Sequence, residues 1–349
     1  MEPLVSVIMA VHNGEHYLRE AVDSILSQTL SHLELIIVDD ASTDGTAQVL
    51  AGCRDSRVRL TRNPCRVGPA AARNRAIAMA RAPLLAIQDA DDISFPHRLQ
   101  TQVEFLAGTP SVSMVGARAV FISEDGRQCG VLAYPPTHDL DIRWALLFWN
   151  PFIHSSVMLR RSALDSPEAY NQNGELAWLA EDYELLSRIS RKHCSANLNE
   201  FLVKYRINPA GASARPGDLQ RLSEEVSRAN ISWLLGREVD LEMLRALRTF
   251  WVQGRPLSAK SAYRALVCSK PLLQTFLSHY QGHETWIVPR TRFCWKRARR
   301  AFSLARHSPQ LGFSCRSAML LSSLAIAARA IACAGDSSRC SAGHGEGRN

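Results

Sequence analysis

Three carboxylates within four positions, Asp89, Asp91 and Asp92, directly follow the apolar run Pro83-Leu84-Leu85-Ala86-Ile87. A short, bounded apolar run is the pattern of a buried strand. Unpaired carboxylates at its end are costly unless they face water or hold a cation. If the chain stays extended there, Asp89 and Asp91 share a face, as residues two apart in a strand do. Two hard oxygen ligands on one face suit Mg²⁺ or Mn²⁺, which keep positions open for water and substrate phosphates. A D-x-D taken alone is a weak signal, and a solvated turn accounts for it as well. A second acidic pair, Asp39-Asp40, closes the apolar run 34–38 and is followed by the turn-rich Ala41-Ser42-Thr43-Asp44-Gly45-Thr46, with Ser42 or Thr43 as the expected helix cap. A third pair, Glu181-Asp182, falls in or near the first turn of an expected helix. The helix dipole favours acids there whatever their chemistry, and a carboxylate is also what a general base requires.

The elements that must position these groups alternate. Residues 4–11 are nearly continuous in apolar, β-rich character, the mark of a strand buried on both faces. His12-Asn13-Gly14 breaks the run, and residues 15–30 carry apolar side chains at helical spacing. The strand 34–38, a helix over 46–51, a short strand at 58–60, a helix opened by Gly68-Pro69-Ala70 and reaching Ala80, and the strand before Asp89 follow in turn. Such alternation implies an α/β fold with a mainly parallel central sheet flanked by helices. Ligands of such sheets bind outside the carboxyl ends of the strands, where His12-Asn13, Asp39-Asp40 and Asp89-Ala90-Asp91 would converge. Further on, 113–122, 155–159 and 201–206 read as strands and 139–148 as a helix.

The 349 residues allow about two domains. With 46% hydrophobic and 21% charged residues, the composition is that of an ordinary folded protein. The net charge of +8, from 41 basic and 33 acidic residues, suits an anionic ligand or membrane surface. Nine cysteines without a C-x-x-C pair read as reduced thiols of a cytoplasmic protein. No basic segment leads into an apolar core at the start, and no run reaches the roughly 18 apolar residues of a spanning helix.

Ser6-Val7-Ile8-Met9-Ala10-Val11-His12-Asn13, Val38-Asp39-Asp40-Ala41-Ser42-Thr43-Asp44-Gly45-Thr46 and Asp89-Ala90-Asp91-Asp92 together resemble the motifs of inverting family 2 glycosyltransferases, which have a GT-A fold. The resemblance runs from Val5 to about Ser213. It implies that Asp40 reads the nucleotide base, beside Ala10 and His12 at the end of the first strand, with the flat imidazole packed on that base. It implies that Asp91 binds the divalent cation, Mg²⁺ or Mn²⁺, and that Asp89 belongs to the same nucleotide and metal site. Gly68-Pro69-Ala70-Ala71-Ala72-Arg73-Asn74 matches the family's G-x-x-x-A-R-N helix. Arg73 is then a donor to the nucleotide, although an Arg in an alanine-rich helix is otherwise simply a good helix former. Glu181-Asp182 corresponds to the E-D pair, with Asp182 as catalytic base and Glu181 orienting a loop or touching the acceptor. The segment Asn150-Pro151-Phe152-Ile153-His154-Ser155-Ser156-Val157-Met158 also resembles the family. His154 there lines the donor or acceptor pocket, or is a satisfied buried histidine. Tyr205-Arg206 opens a Y-R-x-H-x-x-S-x-S segment, placing Arg206 toward the diphosphate. The chain departs from that pattern with Asn208 for the His and Gly211 for the first Ser, while Ser213 remains.

The expected layout is a nucleotide-sugar-binding half over 1–110, an acceptor and catalytic half over 111–216, a basic helical extension over 217–335 and a disordered tail over 336–349. The activity implied is metal-dependent transfer of a sugar, a UDP-sugar being favoured, to a saccharide or lipid-linked saccharide in surface polysaccharide synthesis. The alternative is a catalytically silent nucleotide-sugar-binding scaffold, for which Asp182 would have no use. A dinucleotide-dependent oxidoreductase would need a glycine-rich first turn, which Ala10-Val11-His12-Asn13-Gly14-Glu15 lacks. Arg290, Arg292, Lys296, Arg297, Arg299 and Arg300, interleaved with Phe293 and Trp295, suit an interfacial helix on the cytoplasmic face of an anionic membrane or an assembly partner. Nucleic acid, which would rest on that charge alone, is not expected.

Overall fold

The β-rich runs become strands because they are apolar on both faces, and the interposed helices cover both faces of the sheet they form. The computed structural model describes residues 2–132, 135–208, 216–253 and 259–280. In chain order the first half comprises β1 (Val5–Val11), α1 (Leu18–Leu26), β2 (Leu33–Asp39), α2 (Thr46–Ala51), β3 (Val58–Arg62), α3 (Pro69–Met79) and β4 (Leu84–Ile87). Strands β3, β2, β1 and β4 lie side by side, all parallel. Val11 stands opposite Asp39 and Ile8 opposite Ile87, so the three acidic and polar strand ends fall on one edge. Then follow β5 (Ile93–Ser94), α4 (Arg98–Gly108), β6 (Val112–Ile122), β7 (Gln128–Val131), α5 (Asp139–Leu146), β8 (Met158–Arg160), α6 (Leu176–Leu179), α7 (Glu181–Lys192) and β9 (Cys194–Arg206). The sheet continues from β4 through β8, β6 and β9 to β5, with β7 on β6. Beyond β4 it is mixed: β8 runs antiparallel to both neighbours, and β6 and β9 are parallel.

Alternation along the strands divides the core between the two faces. Ile8, Ile36 and Leu85 pack with Ala72, Ala76 and Ile77 of α3 and Leu186 of α7. Met9, Leu35 and Ile37 pack with Leu18, Val22 and Ile25 of α1 and Leu99 of α4. Each fully buried aliphatic side chain contributes on the order of 1.5–3 kcal/mol of transfer free energy, which fixes the register that aligns the strand ends.

Some elements differ from expectation. The α2 cap is Gly45, with Asp44 Oδ1 accepting from the Thr46 N–H at 3.0 Å. Ser42 instead accepts from the Asn13 N–H at 3.0 Å, so it ties two loops together rather than capping a helix. The expected strand over 155–159 begins as a 3₁₀ turn, His154–Ser156, before β8. Strand β9 starts seven residues before the expected 201, since Cys194 pairs with Val112 of β6.

The C-terminal part contains α8 (Pro216–Leu235), α9 (Leu241–Arg248), a π-helical turn at Thr249–Gln253 and α10 (Ala259–His279). The described chain divides into two compact units, one of residues up to Leu146 with Asn150–Val226, the other of Leu147–Trp149 with the residues from Ser227 on. Among the described residues no helix is long and apolar enough to cross a membrane. The basic cluster 290–300, the apolar stretch 318–334 and the tail 336–349 lie outside the described residues.

One buried charge shows how the sheet tolerates polar groups. Glu34 of β2, 2% exposed, accepts from Ser6 Oγ at 2.6 Å and from Arg59 and Arg81 at 2.9 Å. Burial pushes its carboxyl up, but the Ser6 hydroxyl, the Arg81 N–H and the two guanidiniums outweigh it and hold the group below its ordinary value. A folded-state value below the unfolded one means stability that is present above about pH 4.3 and lost as pH falls. Glu34→Gln is therefore expected to lower stability by about 1–3 kcal/mol at pH 7. Urea denaturation of both proteins should show the gap narrowing toward pH 4.

Candidate active site

The loops that follow β1 and β2 are bound to each other before any ligand arrives. The Gly14 N–H donates to Thr46 Oγ1 at 2.8 Å, the Thr43 N–H to Asn13 Oδ1 at 2.9 Å and the Gly45 N–H to Glu15 Oε2 at 2.7 Å. Asn13 (φ 54°) and Ala41 (φ 56°) occupy the left-handed region, the non-glycine residues to do so among those described. Alanine there costs on the order of 1 kcal/mol, a strain concentrated where open α/β sheets bind ligands. Ala10 and His12 lie on this edge, both half-buried. His12 Nδ1 is 2.8 Å from the Asp40 carbonyl oxygen. A carbonyl can only accept, so Nδ1 carries the proton and, in the neutral ring, Nε2 is the acceptor.

Asp40 is buried and held by its own chain. Oδ1 accepts from Asn63 Nδ2 at 2.7 Å and the Val67 N–H at 2.9 Å, and Oδ2 from the Gly68 N–H at 2.8 Å. Gly68 takes φ +94° to present that N–H. These bonds fix the 63–68 loop against the end of β2.

A buried chain of charges crosses the site. Arg73 of α3 donates from Nη2 to Asp89 Oδ1 at 2.7 Å and from Nη1 to Glu181 Oε1 at 2.6 Å. Its guanidinium lies 5.7 Å from the Tyr170 ring centroid. Asp89 Oδ2 faces His154 Nδ1 at 3.5 Å, and His154 Nε2 meets the Tyr170 hydroxyl at 2.8 Å. Burial opposes ionisation of Asp89, yet His154 and Arg73 outweigh it and hold the carboxyl well below the usual range. Glu181 is raised, because burial and neighbouring Asp182 outweigh Arg73. Asn74, next along α3, donates to the Tyr170 carbonyl and accepts from the Tyr170 N–H, both at 2.8 Å, and so fixes the network's far end.

The acids at the end of β4 do not share a face as an extended strand would arrange them. The strand ends at Ile87, and a turn closed by the Asp92 N–H on the Asp89 carbonyl at 3.3 Å separates them. Asp89 serves Arg73 and His154, whereas Asp91 Oδ2 accepts from Asn208 Nδ2 at 3.0 Å. Burial, with Asp89 nearby, pushes the Asp91 carboxyl up. Asp92 is wholly buried between the Ser155 hydroxyl and the Arg206 N–H. Arg206 is engaged by the protein. It donates to the carbonyls of Asp91, Ser123 and Glu124 and to Glu20, with its guanidinium over the Tyr17 ring. Below this turn all five N–H groups of Arg98 are bonded to Gln102, Gln88, Ser94 and the carbonyls of Ile87 and Val157. Burial brings that guanidinium down to about 9. Asn74 stands in the G-x-x-x-A-R-N pattern with Arg73, whereas no motif marked Arg98 or Tyr170 as part of the site.

Asp182, half-buried in the first turn of α7, accepts from Asn150 Nδ2 at 3.0 Å on Oδ2 and from the Tyr183 N–H at 2.7 Å on Oδ1. Since its neighbour Glu181 is anchored through Arg73 to Asp89, the structure brings Asp182, Glu181, Arg73, Asp89 and His154 together. His12 and Asp40 lie at the ends of β1 and β2, and Asp91 lies on the turn.

The family model for Glycosyl transferase family 2 matches residues 6–166. An uncharacterized glycosyltransferase of Haemophilus influenzae is 30% identical over 259 residues, covering 70% of this chain and 79% of that one. The chain is a family 2 glycosyltransferase. This transferase is 29% identical over 235 residues to the UDP-Glc:alpha-D-GlcNAc-diphosphoundecaprenol beta-1,3-glucosyltransferase WfaP of Escherichia coli, covering 67% and 87% of the two chains. It is 31% identical over 214 residues to the O-antigen biosynthesis glycosyltransferase WbnJ of the same species, covering 59% and 80%. Among solved structures, S. aureus TarS 1-349 in complex with UDP superposes with a TM-score of 0.53 at 17% identity, over 95% and 89% of the chains. The mannosyltransferase PcManGT from Pyrobaculum calidifontis, in complex with GDP-Man and Mn²⁺, gives 0.51 at 17%, over 94% and 87%. The family 2 transferase thus has the GT-A fold.

Proposed function

We propose that this glycosyltransferase moves a sugar, with inversion, from a nucleoside-diphosphate donor, a UDP-sugar being favoured, to a saccharide or lipid-linked saccharide acceptor in surface polysaccharide synthesis. The observation that carries this reading is the Asp89–Arg73–Glu181 bridge, which sets Asp182 beside the strand edge where a nucleotide would lie. Asp182 accepts the proton of the acceptor hydroxyl as that oxygen attacks the anomeric carbon. The bond from that carbon to the diphosphate oxygen breaks, and the nucleoside diphosphate leaves with its electron pair. Asn150 holds the Asp182 carboxylate in place throughout. Arg73 Nε is buried and has no hydrogen-bond partner. The donor preference is supported by the UDP-Glc specificity in the name of the E. coli relative, and the lipid-linked acceptor by its diphosphoundecaprenol. Work on the cytoplasmic side of a membrane, with peripheral attachment, fits that acceptor.

A divalent cation, Mg²⁺ or Mn²⁺, fits the residues. Among the described residues no group of three His, Cys, Asp or Glu could hold a metal ion by itself, so the cation would also need the donor's phosphates as ligands. Asp91 is the carboxylate for it, because Asp89 is committed to Arg73. When bound, the cation offsets charge developing on the leaving diphosphate. Isothermal titration of UDP, GDP, CDP and dTDP, each with and without Mn²⁺, tests the reading. One nucleotide should bind at least about tenfold more tightly with metal, and Asp91→Asn should erase that gain. Absence of binding by all four would overturn this reading and the nucleotide-sugar-binding scaffold with it, whereas binding without transfer would favour the scaffold.

A further inference from the structure

Asp89 is partnered at both carboxylate oxygens, and both partners lean on one residue, Tyr170. Oδ1 accepts from Arg73 at 2.7 Å, and Oδ2 faces His154 Nδ1 at 3.5 Å. The Arg73 guanidinium lies 5.7 Å from the Tyr170 ring centroid, close enough for the ring's face to favour the cation. His154 Nε2 is 2.8 Å from the Tyr170 hydroxyl, with the two rings edge to face. Tyr170 is 1% exposed and lies outside helix and strand. Its backbone is pinned instead by the Asn74 side chain, which bonds its N–H and its carbonyl at 2.8 Å each. A phenylalanine would fill the same volume, so packing leaves the hydroxyl unexplained.

The carboxylate sets the direction of the hydrogen bonds. It can only accept, so the imidazole nitrogen that faces it, Nδ1, carries the proton. In the neutral ring Nε2 is then the acceptor, and the Tyr170 hydroxyl donates to it. We propose that Tyr170 is a positioning residue for sugar transfer: its hydroxyl fixes the His154 ring and its ring supports Arg73, and together these hold the Asp89 carboxylate. The constraint reaches the base through Arg73, whose Nη1 donates at 2.6 Å to Glu181, the neighbour of Asp182 in the first turn of α7. A small misplacement of Asp182 costs rate without costing donor affinity, because the base must come within hydrogen-bond reach of the acceptor hydroxyl. This rests on the transferase reading of the same site.

Tyr170→Phe removes the hydroxyl and keeps the ring. Imidazole ¹⁵N spectra of the free protein at neutral pH read the tautomer, with the His154 signals assigned by their loss in His154→Gln. Wild type should show a protonated Nδ1 and a bare Nε2, and both signals should shift in Tyr170→Phe. Single-turnover transfer with saturating donor should slow about tenfold in that variant, while nucleotide Kd stays within about twofold and circular dichroism is unchanged. Since the hydroxyl acts through the imidazole, Tyr170→Phe combined with His154→Gln should be no slower than His154→Gln alone. A proton on Nε2 in wild type would overturn the proposal, and so would undiminished transfer by Tyr170→Phe or additive losses in the double variant. Nucleotide binding lost in step with transfer would also overturn it, as the mark of a residue that only maintains the fold. Failure of the transferase reading is distinct, since it appears as no nucleotide binding in wild type, whereas the tautomer is read without any ligand.

Discussion

Asp182→Asn is expected to lower the rate of sugar transfer by about 10²–10⁴-fold while leaving nucleotide Kd within about twofold. The substitution preserves shape, and Asn150 Nδ2, now 3.0 Å from a carboxylate oxygen, retains an acceptor in the amide oxygen. What disappears is the lone pair that takes the acceptor's proton, so the loss should fall on kcat rather than on donor binding. Glu181→Gln makes the useful contrast. Its carboxylate is turned into the protein toward Arg73, so its removal weakens a buried ion pair and should cost stability as well as rate. If Asp182→Asn retained full turnover and Glu181→Gln lost it, the assignment of the base would be reversed. A single-turnover measurement with saturating donor separates these outcomes from any effect on product release.

Much of this arrangement was legible in the residues alone, for reasons that differ by element. Buried strands such as β1 and β2 announce themselves because both faces are apolar, and a parallel sheet then forces His12, Asp39 and Asp89 to one edge. The partners of those groups were not legible, because they come from far along the chain. Tyr170 reaches Asn74, 96 positions away, and His154, 16 positions away, only once the fold has formed. The pairing of Asp89 and Asp91 failed for a local reason. Period-two reasoning assumes that the strand continues, whereas β4 stops at Ile87 and the turn sends the two carboxylates to different partners. Arg206 shows the same limit. Its place in a motif says that it matters, but only the fold reveals that three backbone carbonyls and Glu20 occupy it.

The largest structural effect is expected at Arg73. Arg73→Met keeps much of the side-chain volume but leaves Asp89 and Glu181 buried without their cation, which should cost about 3–5 kcal/mol at pH 7. The pH dependence follows from the direction of the shifts. With Arg73 present, Asp89 sits below its unfolded value, so its contribution is present above about pH 4 and lost only at lower pH. Without Arg73 burial dominates: Asp89 rises above its unfolded value, Glu181, already raised, rises further, and stability falls as pH increases. The deficit of the variant should therefore be larger at pH 7 than at pH 5, which urea denaturation at the two values would show. A deficit independent of pH would mean that lost packing, not unpaired charge, is responsible. Adding Asp89→Asn and Glu181→Gln to Arg73→Met should recover part of the loss, because replacing all members of a buried ion network is far less damaging than removing one. Activity should not recover with it, since the bridge that holds α7 and Asp182 against the strand edge would be rebuilt without the charge that fixes its geometry.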